Sequence, residues 1–442
     1  MDKELRKAAR EHLVRYGQGD IEQLYVSSKG ATVTDDEGRE ILDFTSGQMC
    51  ATLGHSHPAI VKAIQSGAED RVHLFSGMIP EAVAKLAKKL GQWLPKPLSR
   101  SMFVNTGSES NEAALRMAKI VTGGYEVIAL GGSWHGVTGQ AAAMSFASER
   151  RGYGPKVHGV SAIPEPYSYR CPIGHCRDTC DMSCMKVGLK MFDMTSEGAP
   201  AAIIAEPILS AGGVIVPPDG YFKKLKAEAS SRGMMLIFDE AQTAFGRIGE
   251  KFAATGLGVT PDIMSVSKTL GGGLPLAATI TSDEIEEKAH DKGFSYYTSH
   301  VSDPLPALAG LAVLETVEKE KLIARAKKMG AHLRENLESL QQKYEAIGDI
   351  RGQGLLMGIE LVKDRESRVP HLELGEITTK RCMELGLSMN IKHRPERGAV
   401  WRIAPPLTVS KAELDKGCEI LDQALREGLD VLAQRATRAP RS

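Results

Sequence analysis

Residues 234–282, MMLIFDEAQTAFGRIGEKFAATGLGVTPDIMSVSKTLGGGLPLAATITS, contain three short apolar runs: MMLIF before Asp239, DIMSV before Lys268, and LAATITS from 276. Each run is almost continuously apolar, as expected of a strand covered on both faces. Toward the N-terminus, SMFVNTG (101–107), YEVIALGGS (125–133) and AAIIAEP (201–207) repeat the pattern. A helical stretch, ESNEAALRMAKIVTG (109–123), separates the first two of these. Strands alternating with helices predict an α/β fold with a mostly parallel sheet in a large domain, 46–305. From 306 the pattern changes to a long helical stretch. A strand region (350–362), a helix near 375–385, a strand near 399–404 and a helix from about 410 then follow. These predict a smaller α+β domain, 306–442, with residues 1–45 packing against it.

The chain has 442 residues, 42% apolar and 25% charged, enough for more than one hydrophobic core. Lys+Arg and Asp+Glu each number 55, so the charge balance gives no reason to expect nucleic acid or an anionic membrane as partner. No apolar run reaches the roughly 18 residues of a membrane span. The opening MDKELRKAAREHL reads as a charged helix without the apolar core of a secretory signal. A cytoplasmic location is the expectation. Seven cysteines, an odd number, speak against a disulfide framework.

In an open α/β sheet, ligands gather beyond the carboxyl ends of the strands. Asn105-Thr106-Gly107-Ser108 ends one strand and opens a helix, where backbone N–H groups suit a phosphate. An ordinary N-cap by Thr106 or Ser108 fits the same residues. Asp239 and Lys268 follow successive apolar runs. A lysine there can form an imine with an aldehyde, and a carboxylate can keep a pyridinium nitrogen protonated. Two solvated loop charges would give the same pattern. Trp134, in Trp134-His135-Gly136, can stack on a flat ring or pack in the core.

The motifs NTGSESNEAALRMAK, SWHG, AEPILSAGG, IFDEAQTAFGRIG and PDIMSVSKTLGGGLPLAA, in this order, resemble the class III (ω-type) aminotransferases of pyridoxal 5'-phosphate (PLP) fold type I. The resemblance covers nearly the whole chain and implies that the mostly parallel sheet of the large domain is seven-stranded. It implies that Lys268 is the Schiff-base lysine and that Asp239 partners the pyridine nitrogen. Gln242 should bond the ring hydroxyl and Trp134 should cover the ring. Thr106, Gly107 and Ser108 should hold the phosphate, helped by Thr298 of a neighbouring subunit. A homodimer or a dimer of dimers is implied.

DFTSGQMCATLGHSHP, HLFSGM, YYTSHVSDPLP, LGLSMNI and RIAPPLTVS resemble the 2,2-dialkylglycine decarboxylase branch of that family. This implies Gln48 and Arg402 as substrate-carboxylate residues, with Arg402 gripping through a bidentate fork. The bond lying parallel to the ring's π orbitals is the one that breaks. A carboxylate in that position leaves as CO2, and a hydrogen there leads to transamination. The implied reaction converts 2-aminoisobutyrate-like substrates to ketone and CO2, with the amino group passing to pyruvate. A non-decarboxylating ω-amino acid or amine:pyruvate transaminase is the alternative. The same resemblance implies an alkali-metal ion (K+ or Na+) on Leu74, Ser76, Ser299, Val301 and Asp303.

Ala211 stands where this pattern has a second serine, Val137 where a methionine is usual, and Ser299 where a threonine is. The smaller Ala211 and Val137 would leave room for a bulkier apolar substrate. RCPIGHCRDTCDMSC (170–184) is a further departure. Its Cys171, Cys176, Cys180 and Cys184, with His175, could bind zinc or remain reduced loop thiols.

Overall fold

The computed structural model describes residues 3–15, 23–147, 154–174, 180–394 and 398–438. Its central sheet has seven strands. Their order is Leu98–Val104, Ala277–Ser282, Ile263–Val266, Met235–Asp239, Pro200–Ala205, Glu126–Leu130 and Val160–Ile163. Ala277–Ser282 runs antiparallel to both neighbours. The strands beyond Ile263–Val266 pair in parallel. This is the α/β architecture expected from the apolar runs. Every residue of Glu126–Leu130 and Ile263–Val266 is buried, which is why neither run alternates in polarity. Val160–Ile163 gives no such signal, because it is four residues long, lies at the sheet edge and is buried at only one position.

There are two smaller, four-stranded sheets. Tyr25–Lys29, Thr32–Asp35 and Glu40–Asp43 form antiparallel pairs, and Leu387–Ser388 adds in parallel to Glu40–Asp43. The other is antiparallel, in the order Ile347–Gln353, Leu356–Leu361, Gly398–Ile403, Asn390–Arg394. The helical stretch expected from 306 is two helices, Pro304–Lys319 and Leu322–Lys343. They break at Lys321, whose φ of 53° no right-handed helix accommodates. Among the described residues no helix is long and apolar enough to cross a membrane.

One local conformation places Gln48 against Arg402. Ser46, Gly47, Gln48 and Met49 all have positive φ (47°, 55°, 61° and 64°), a left-handed turn that costs roughly 1–2 kcal/mol per L-residue. Tertiary contacts hold it. Gly47 N–H donates to Asp43 Oδ2 at 2.8 Å, and Ser46 Oγ donates to the Ala404 carbonyl. The fully buried Arg247 donates to Thr52 Oγ1 at 3.2 Å and to Ser46 Oγ at 3.4 Å.

Candidate active site

The parallel strands deliver Asp239 as the last residue of Met235–Asp239, and Lys268 two residues beyond Ile263–Val266. Thr106 caps the helix Gly107–Thr122. It does so through a capping box: Glu109 N–H donates to Thr106 Oγ1 at 3.2 Å, and Thr106 N–H donates to Glu109 Oε2 at 3.1 Å. The N-cap reading of Thr106 is therefore correct. It leaves the first helical N–H groups, those of Gly107 and Ser108, as the anion-facing donors of a 16-residue helix.

These elements enclose a cavity of about 330 Å³ lined by Thr106, Gly107, Ser108, Trp134, Asp239 and Lys268, among others. Residues predicted from separate strand ends thus share one space. Asp239 Oδ2 accepts from His135 Nδ1 and from Asn111 Nδ2, each at 2.8 Å, and Oδ1 accepts from the Ala241 N–H at 3.1 Å. Burial alone would raise this carboxyl. The hydrogen bond and charge of His135, with Lys268 and Asn111, outweigh burial and hold it below the usual carboxylate range. Burial lowers the Lys268 ammonium, opposed by Asp239 and Cys50, while Arg402 adds to the lowering. Lys268 also carries φ 49°, a conformation costing about 1–3 kcal/mol that recurs at functional sites.

Beside this cavity lies a second cluster. Arg402, on the strand Gly398–Ile403, donates from Nη2 to Gln48 Oε1 at 2.9 Å and from Nη1 to Gln242 Oε1 at 3.2 Å. Among the described residues no carboxylate forms an ion pair with it, and burial brings its guanidinium down to about 10. Glu206 partly offsets that shift. Glu206 Oε1 accepts from the Trp134 N–H at 2.8 Å, and burial pushes this carboxyl up to about 7.

Asn111, His135, Cys50 and Glu206 are site residues that the motif reading leaves without a role. Asn111 and His135 stand inside quoted motifs, so their position was available and their target was not. Ala211 is buried and Val137 is exposed, and neither lines the cavity. Thr298 does not line it either, and its Oγ1 is buried without a hydrogen-bond partner.

Leu74, Ser76, Ser299, Val301 and Asp303 also lie outside the cavity lining. Asp303 is engaged by His73 and His300, and Ser76 Oγ donates to the Tyr297 hydroxyl. Cys184 is buried and its thiol is pushed up to about 11, first by burial. Cys176 and His175 lie outside the described residues. Among the described residues Cys171, Cys180 and Cys184 do not converge as ligands, whereas His73, His300 and Asp303 do.

Residues 15–425 match the family model for aminotransferase class-III. The chain belongs to the class-III aminotransferases. An uncharacterized aminotransferase of Schizosaccharomyces pombe is 47% identical, over 94% of this chain and 93% of that protein. The leucine/methionine racemase of Thermococcus litoralis is 35% identical, over 91% and 90%. A Bacillus anthracis aminotransferase crystal structure superposes with a TM-score of 0.90 at 29% identity, over 96% of this chain and 98% of that one.

The cofactor expected of this family, pyridoxal 5'-phosphate, fits the cavity. A Cβ on Gly107 would meet Ser267 Oγ at 2.9 Å, so glycine lets the helix end close on that hydroxyl. Ser267 Oγ is itself buried with no hydrogen-bond partner, an orphan donor beside the expected phosphate. The ionised Asp239 and the flat face of Trp134 suit the ring.

Proposed function

We propose that this enzyme holds pyridoxal 5'-phosphate through Lys268 and acts on α-amino acids, releasing CO2 from 2,2-dialkylglycines and passing the amino group to a keto acid such as pyruvate. The observation that carries the substrate class is Arg402. Among the described residues it is a buried guanidinium hydrogen-bonded to two neutral amides and to no carboxylate, and a substrate carboxylate would complete it.

Gly107 and Ser108 would bind the phosphate, with Ser267 adding a hydroxyl. Trp134 would cover the ring, Gln242 would reach its hydroxyl and Asp239 its nitrogen. When bound, the cofactor supplies an electron sink conjugated to the substrate's α-carbon. Burial disfavours the charged form of the Lys268 amine, which suits a group that takes and returns a proton near that carbon.

The finer choice between losing CO2 and losing a proton rests on Gln48. A carboxylate leaving as CO2 loses its charge, so a strong ion pair would stabilise the starting state more than the transition state. A neutral amide holds the group without that penalty. Gln48 sits on a strained turn next to Arg402, which suits a carboxylate placed in one orientation for decarboxylation and another for transamination. A leucine/methionine racemase among the relatives supports an α-amino acid substrate.

The test is incubation of holoenzyme with 2-aminoisobutyrate and pyruvate, following CO2, acetone and alanine. Equimolar formation of all three supports the decarboxylating reading, and Gln48→Ala should shift product toward simple transamination with ordinary amino acids. Alanine formed from amines without CO2 sinks it and leaves the non-decarboxylating transaminase.

A further inference from the structure

Arg247 is fully buried, and burial alone brings its guanidinium down to about 9. Among the described residues all its side-chain acceptors are neutral. Nη1 donates to the Leu355 carbonyl at 3.1 Å and to the Pro405 carbonyl. Nη2 donates to Thr52 Oγ1 at 3.2 Å and to Ser46 Oγ at 3.4 Å, while the buried Nε has no partner. The backbone of Arg247 is fixed as well, its carbonyl accepting from the Leu355 N–H at 3.0 Å. A charge taken out of water without a counter-charge is costly, so what the chain gains from it lies in the geometry.

The acceptors lead to both halves of the site. Ser46 opens the left-handed turn that carries Gln48, and Pro405 lies three residues beyond Arg402. Thr52 leads to Lys268. Its hydroxyl donates to the Met49 carbonyl at 2.8 Å and lies 2.8 Å from Thr269 Oγ1. With its single hydrogen given to Met49, Thr52 accepts from Thr269 as it does from Arg247. One guanidinium thus reaches the turn of Gln48, the strand end of Arg402 and, through two buried hydroxyls, the residue that follows Lys268.

We infer that Arg247 is a positioning residue that holds Lys268 and the Gln48–Arg402 pair in one fixed relation. This rests on the proposed function, in which that pair takes the substrate carboxylate and Lys268 handles the proton at the neighbouring carbon. The two ends must then be matched across a single α-carbon, where a small misplacement of either costs rate. The planar fork of arginine can bond acceptors from three stretches of chain at once. A lysine ammonium, with its donors on one atom, cannot span them.

The test uses holoenzyme and two readouts. The Kd of isobutyrate, a carboxylate without an amino group, reports the Gln48–Arg402 end by spectral titration. The pH midpoint of the visible cofactor absorbance reports the Lys268 end and needs no substrate. Arg247→Lys should raise the isobutyrate Kd roughly 5- to 150-fold and move the midpoint by about half a pH unit or more. Thr52→Val, nearly the same shape, should move both in the same directions with Tm close to native. Thr269→Val should move the midpoint alone. Arg247→Lys with a lowered Tm and both readouts native would show a merely structural role and overturn the inference. Should Arg247→Lys not fold, Thr52→Val decides, and native values of both readouts in it overturn the inference equally. If Arg402→Ala leaves the isobutyrate Kd unchanged, the substrate-carboxylate reading fails instead. The absorbance midpoint then still judges Arg247, a shift supporting its hold on Lys268 and a native value overturning it.

Discussion

Arg402 donates to Gln48 at 2.9 Å, joining residues 354 positions apart, and Gln242 holds the other arm of the guanidinium at 3.2 Å. The cation is positioned without being neutralised. Its lowered pKa reflects a charge kept from water, which Glu206 offsets only in part.

Removing that charge should therefore act on substrate binding. Arg402→Ala is expected to raise KM for both the amino acid and the keto acid by roughly 30- to 1,000-fold, equivalent to about 2–4 kcal/mol. Cofactor absorbance should persist. Arg402→Lys should recover little, because an ammonium cannot reproduce the fork. Steady-state kinetics showing a loss in kcat alone, with KM unchanged, would contradict this role.

Asp239 depends on its two side-chain donors, His135 and Asn111. His135→Leu or Asn111→Ala should let burial raise the Asp239 carboxyl and weaken the hold proposed for it on a cationic ring nitrogen. A buried charged hydrogen bond is worth about 1–3 kcal/mol, so cofactor Kd should rise roughly 5- to 150-fold, measured by fluorescence titration.

Glu206 predicts a pH effect of definite sign. In the folded chain it binds its proton up to about pH 7, whereas the unfolded chain releases it near the ordinary glutamate value of about 4.3. Between these values the folded state holds more protons, so the residue's contribution to stability falls as pH rises, and the loss is complete above about 7. Glu206→Gln removes this slope. Tm measured from pH 5 to 8 should decline more steeply for the native chain than for the variant.

Gly136 and Gly107 should differ in tolerance. Gly136 has φ 137°, and a Cβ there would collide with Ser108, including its backbone Cα at 2.9 Å. At Gly107 the obstacle is a single hydroxyl, Ser267 Oγ. Gly136→Ala should abolish cofactor binding or soluble expression. Gly107→Ala should bind the cofactor more weakly and still fold, as spectral titration and Tm would show.

Much of this was legible in the sequence because strand ends are local. Asp239, Lys268 and Gly107 each follow an apolar run, and a parallel sheet brings such ends together. The identity of Asp239's donors was not legible. His135 and Asn111 reach it only once their own strand-end loop and helix are packed, and no spacing rule encodes that. Gln48 and Arg402 came to notice through family likeness, since a contact between the two ends of a chain leaves no periodic trace. The pairing of His73 with His300 through Asp303 was invisible for the same reason. The edge strand Val160–Ile163 was too short and too exposed to register as apolar.

The left-handed turn at Ser46–Met49 is bonded to Ala404, two residues beyond Arg402. The proposed carboxylate clamp would therefore be a buckle that fastens residues 46–49 to the strand carrying Arg402, while the proposed cofactor cradle is built from the stretch between them. A fusion, truncation or nick near either terminus should loosen substrate choice before it loosens cofactor loading. For the same reason, reaction preference can drift in evolution while the cradle stays unchanged.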